Sequence, residues 1–196
     1  MTLTELQAAV YEITNRPDLV AKTLSAVQSA TLKAHHSDYY YKDIYEAEVD
    51  FTTAQYEPDF EYRTFVPRWR AAKYFRKYDH AEAVPGIFFD KISPENALDS
   101  YAQAQTNVWY GAGEIIHLKS STEIRYILMG CYRHPNITVP TFSSWIAVDH
   151  PYSIVYGAAQ TIFRTIGKTE EMRAMKEEVG EQFVLLRNAN VLENGE

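Results

Sequence analysis

The stretch "LKAHHSDYYYKDIYEAEVDF", residues 32–51, decides the fold, because the spacing of its apolar residues changes period part-way along. Upstream of it, Leu19, Thr23, Val27, Ala30 and Ala34 recur at helical spacing as far as about His36. From Tyr45 onward, Tyr45, Ala47, Val49 and Phe51 alternate with Glu46, Glu48 and Asp50. Period two marks a half-buried strand with its acids on the wet face. The stretch is therefore the junction where a helix hands over to a sheet. Its three consecutive tyrosines, Tyr39, Tyr40 and Tyr41, either wedge within the fold or mark a contact with a neighbouring subunit.

Helical signals flank the sheet region on both sides. Thr2 and Glu5 have capping-box spacing, and Leu3, Leu6, Val10 and Ile13 follow on one face. "TNRPD" breaks this helix, and Pro17 fits the first turn of the next. At the far end, "VDHPYSIVYGAAQTIFRTIGK" starts with Asp149 or His150 as a cap and Pro151 in its first turn, and stops at Gly167. Its buried stripe is Ile154, Val155, Ala158, Ile162, Phe163 and Ile166, and the small Gly157, Ala158 and Ala159 permit close approach of another backbone. A last helix begins at Thr169 and carries Met172, Val179, Phe183 and Leu186 on one side. Between these ends, "FEYRTFV" (60–66) is the expected partner of the acidic strand, and "GIFFDKI", "NVWYGAGEIIHLKSS" and "TEIRYILMGCYR" contain further strands. The segment from Pro67 to about Tyr78 is expected as a third helix.

Strands and helices are segregated, so the expected class is α+β. The expected architecture is an antiparallel-type helical bundle from N- and C-terminal helices, with inserted antiparallel β-strands. The bundle takes residues 1–36, 67–78 and 150–188, the β-insertions about 44–66 and 86–137, and a loose tail 189–196.

Bulk composition narrows the function classes. The chain has 196 residues, enough to bury a core without metals or disulfides. Its single cysteine, Cys131, rules out an intrachain disulfide and a cysteine zinc cluster and fits a reducing compartment. No apolar run approaches the roughly 18 residues of a membrane span, and the N-terminus lacks signal-peptide character. Net charge is −7, which argues against a general nucleic-acid coat.

That charge is unevenly spread. Residues 37–61 hold eight acids against Lys42 alone, whereas residues 68–77 hold five basic residues and no acid. On a helix at about 100° per residue, Arg70, Lys73, Arg76 and Lys77 fall within an arc of about 120°. Such a cationic face is read as solvated, as a subunit or portal contact, or as a DNA contact. Glu46, Glu48 and Asp50 are the candidate acidic counterpart.

Catalytic signatures are weak. His35 and His36 point about 100° apart on a helix and cannot share a metal, so no metal or cofactor site is expected. There is no G-x-S-x-G, no Walker A motif and no G-x-G-x-x-G, and Cys131 sits in an apolar strand. No catalytic residue is assigned.

Several segments carry a family likeness. "LTELQAAVYEITNRPDL" leading into "ATLKAHHSDYYYKDIYE", then "FVPRWRAAKYFRKYD", "LDSY" and "WIAVDHPYSIVYGAAQTIFRTIGKTEE", resemble in order the head-to-tail adaptor (connector) proteins of tailed bacteriophages, especially short-tailed ones. The resemblance implies a non-enzymatic virion protein made in the host cytoplasm and built into the head–tail junction. It implies a ring, usually of twelve subunits, that binds the portal protein and offers a platform to tail, nozzle or stopper proteins while genomic DNA passes through its channel. The alternative is a small nucleic-acid-binding protein acting through the basic segment 67–78; a metal-dependent hydrolase using the histidine and acid clusters stands third.

Overall fold

In a computed structural model of the chain, residues 1–78, 85–98 and 105–194 are described. The fold is mixed α+β, with seven α-helices and two four-stranded, mostly antiparallel sheets among those residues. It divides into a helical unit, Met1–Asp43 with His134 onward, and a sheet unit, Ile44–Arg133. No helix among the described residues is long and apolar enough to cross a membrane.

The helical unit starts with α1 (Leu3–Thr14). Thr2 and Glu5 close the capping box, each backbone N–H donating to the other's side chain, at 2.7 Å to Glu5 and 3.3 Å to Thr2. Asn15 ends the helix in the left-handed region, where asparagine is tolerated. α2 (Val20–His36) follows, so Pro17 lies in the turn before it and not in its first turn. After the sheet unit come α5 (Trp145–Asp149), α6 (Pro151–Thr165) and α7 (Thr169–Asn194). Ser144 caps α5 by accepting from the Ala147 N–H, whereas His150 makes no side-chain cap to α6.

α6 packs against α1, α2 and α7. Leu6, Val10, Val27, Ile154, Ile162 and Leu186 are buried there, each such side chain contributing about 1.5–3 kcal/mol. The helices α2 and α6 approach closely at Ala30 and Gly157, where a Cβ on the glycine would stand 3.3 Å from the alanine Cβ.

Of the expected loose tail 189–196, residues 189–194 are instead the last turns of α7, and 195–196 lie outside the described residues. Its polar side chains hold it to the loop after α2. Arg187 donates to the Ser37 carbonyl at 3.0 Å, and Asn190 accepts from the Tyr41 N–H at 3.1 Å and donates to the Tyr39 carbonyl at 3.3 Å.

The sheet unit contains β1 (Ile44–Gln55), β2 (Asp59–Glu61), a helical turn α3 (Tyr62–Phe65), β3 (Trp69–Tyr78), β4 (Pro85–Phe88), β5 (Asp90–Lys91), α4 (Pro94–Leu98), β6 (Val108–Ala112), β7 (Ile115–Lys119) and β8 (Ile124–Arg133). One sheet runs β1-β8-β3-β4 and the other β2-β7-β6-β5. The expected 60–66 partner of β1 is corrected. β1 pairs with β8, from Ile44 opposite Tyr132 to Asp50 opposite Tyr126, while the short β2 joins β7 in the other sheet. A partner about eighty residues away leaves no local trace, so a neighbouring-strand pattern points to the wrong hairpin.

The expected helix 67–78 is also corrected, because Trp69–Tyr78 is a strand laid along β8. Trp, Tyr and Phe in "WRAAKYFRKY" favour a pleated surface. Two register shifts, between Trp69 and Ala71 and between Ala72 and Tyr74, disrupt the alternation that would have marked it. The two sheets share a core in which Phe60 meets Phe51 and Phe75 edge-on at 5.9 and 6.1 Å, and Phe75 meets Trp109 at 4.7 Å. Cys131 is buried in this core, and burial pushes its thiol up to about 11, so it stays protonated and inert at neutral pH.

Candidate functional site

The acidic and basic residues singled out in the sequence lie on one sheet. β8 separates their strands, so β1 and β3 run about 10 Å apart. Across the strands Glu46, Gly130 and Tyr74 are in line, then Glu48, Leu128 and Arg76, then Asp50, Tyr126 and Tyr78. These rows form the face opposite the core, since Val49, Ile127, Met129 and Phe75 point the other way into it. Strands that far apart are still within reach of long side chains: the Tyr74 hydroxyl on β3 donates to Glu46 on β1 across β8.

Strand geometry redistributes the four basic side chains. Arg70 and Lys73 are the extra residues at the two register shifts. Arg76 sits in the outer rows, and Lys77, on the opposite parity, donates to the Thr122 hydroxyl at 3.0 Å. The continuous cationic arc of a helix is therefore absent. In its place is a strip of cations on aromatic rings: the Arg76 guanidinium lies 4.0 Å from the centre of Phe88, and the Lys73 ammonium 5.7 Å from that of Tyr132. Phe88 is 55% exposed, so part of this strip stays wet.

Gly130 opens this face. The Tyr74 ring lies across it and its hydroxyl donates to Glu46. A Cβ at position 130 would stand 2.4 Å from two ring carbons. Gly130→Ala must displace the ring and break the bond to Glu46, costing about 1–3 kcal/mol in urea denaturation; unchanged stability would contradict the placement.

The three tyrosines of the opening stretch divide. Tyr40 is buried, its hydroxyl 2.6 Å from the Ser37 hydroxyl and its ring edge-on to Trp145 at 5.3 Å; that burial raises its phenol pKa. Tyr39 and Tyr41 on either side are 53% and 57% exposed. One ring anchors the fold, and two are presented outward.

The neighbouring histidines divide as well. His35 is buried, its Nδ1 2.7 Å from Asp43 Oδ1 and its Nε2 2.8 Å from Ser144 Oγ. Trp145 Nε1 donates to the same Asp43 oxygen at 2.8 Å. These are the contacts of a Ser–His–Asp triad, which no spacing along the chain signals, because Ser144 lies 109 residues from His35. Ser144 borders a groove of about 640 Å³ beside residues 1–5. Its oxygen, however, accepts the Ala147 N–H at 3.2 Å, and the three side chains are sealed, with His35 only 2% exposed. With Ser144 donating to Nε2 and Nδ1–H donating to Asp43, the group works as a polar clasp joining α2, the turn before β1 and α5. His36, by contrast, is exposed, with its Nε2 3.1 Å from His134 Nδ1. Among the described residues no three metal-ligating side chains converge.

No protein-family model matches the chain, and no curated protein is significantly similar to it.

Proposed function

We propose that this chain is a structural subunit of a virion, a head-to-tail adaptor that forms a ring beneath the portal and a platform for tail or stopper proteins. In this account the helices from the two chain ends form the ring-layer bundle, and the sheets are an insertion into it. The observation that carries the proposal is the outer sheet face, where an acidic row on β1 and a cation–aromatic row on β3 lie side by side. Unlike patches of this kind suit binding between copies of one chain. The ordered family likeness along the sequence and the exposed rings of Tyr39 and Tyr41 support the same account.

A nucleic-acid role draws support from the Arg76–Phe88 strip, since bases stack on exposed aromatic rings and phosphates seek cations. Glu46, Glu48 and Asp50 on the same face count against it by repelling a phosphate backbone. Sedimentation with the portal ring of the same virus separates the two. Co-sedimentation that persists without DNA supports the adaptor. Salt-dependent DNA binding with no portal association would replace it.

A further inference from the structure

Beside the close crossing of Ala30 and Gly157 lies a pocket of about 260 Å³ between α2 and α6. Ser29 and Lys33 line it from one side, and Gln160, Thr161 and Arg164 from the other. The spacing follows helical period: residues 29, 30 and 33 share one face of α2, and 157, 160, 161 and 164 share one face of α6. The two small residues bring the backbones together, and polar side chains on either side, with Ser29, Lys33 and Arg164 exposed, rim the recess.

The lining is rich in donors and holds no acid. Lys33 offers three N–H groups, Arg164 five, Gln160 an amide and Ser29 a hydroxyl. Only Thr161 is committed, its hydroxyl donating to the Gly157 carbonyl at 3.1 Å. Among the described residues neither Lys33 nor Arg164 makes an ion pair. Two unpaired cations lining one recess repel each other, which an anion between them would reverse. The volume lies below the range usual for whole cofactors and is ample for a small ion.

We propose that this pocket binds a tetrahedral oxyanion of the phosphate class, as the free ion or as a phosphate group carried by nucleic acid. The site is remote from the β1–β3 face in sequence and does not depend on the adaptor account.

Isothermal titration of the full chain with inorganic phosphate, at ionic strength held constant with chloride, tests it. Binding is expected in the wild type. Lys33→Gln and Arg164→Gln should each weaken it about tenfold or more, as expected for loss of a charge-assisted hydrogen bond, and the double variant should abolish it. Lys176→Gln, on the exposed side of α7, should leave it unchanged. Thermal melts without phosphate check that every variant folds. A parallel titration with a duplex oligonucleotide identifies the source: affinity that falls in the double variant assigns the phosphate to nucleic acid, and phosphate binding without such DNA affinity assigns the free ion. Wild-type heats indistinguishable from chloride, equal binding by the double variant, or equal affinity for acetate would overturn the proposal.

Discussion

Asp43→Ala destabilises the chain by about 2–5 kcal/mol, from about 1–3 kcal/mol for each buried donor left without its acceptor. The carboxylate accepts from both His35 and Trp145, so its loss strands two buried donors at once. Domains of this size are stable by about 5–15 kcal/mol in total, so the variant loses a large share of that. Ser144→Ala should cost only about 1 kcal/mol, the ordinary value of an N-cap, though it too removes a bond to His35. The difference separates a clasp from a catalytic triad: a triad tolerates both substitutions in stability and loses its reaction with either. Urea denaturation of the two variants gives the comparison. A loss below about 1 kcal/mol for Asp43→Ala would contradict the clasp.

Reversing the charges of the outer sheet face should abolish assembly while leaving the fold intact. A Lys73→Glu, Arg76→Glu chain presents acid on both strands, and a Glu46→Lys, Glu48→Lys, Asp50→Lys chain presents base on both. Like charges placed face to face cost several kcal/mol, so each variant alone should assemble at least about a hundredfold more weakly than the wild type. Mixed in equal amounts, the two should assemble again in alternation, because each acidic face then meets a basic one. Analytical ultracentrifugation at low salt reads all three samples. Adding Lys77→Glu should deepen the effect little, since that side chain is directed to Thr122. Normal assembly by either variant alone would remove the charge pairing from the account. A DNA-retention defect with normal assembly would move the cationic row to a channel lining.

What could be read in the sequence was what is local in the chain. The Thr2–Glu5 box, the alternation from Tyr45 to Phe51 and the strand within "TEIRYILMGCYR" each depend on residues within a few positions of one another, and the structure has them. Two kinds of feature escaped. In β3, the extra residues Arg70 and Lys73 shift the alternation, and the remaining charges happen to sort into an arc at helical spacing. In the clasp, His35, Asp43 and Ser144 meet only because α2 and α5 pack together, and no spacing along the chain signals that. The reading of His35 and His36 as divergent was correct geometrically: one ring is buried and the other exposed. The choice posed for Tyr39–Tyr41 had a mixed answer, because the middle ring turns inward and the flanking two do not.

The central claim is that this chain adds a ring layer to a portal. Its most direct test is electron microscopy of the purified chain mixed with the portal ring of the same virus. The account predicts one new layer on the portal, rotationally symmetric about its channel. A portal ring that gains no layer, with the chain left free in solution, would contradict it.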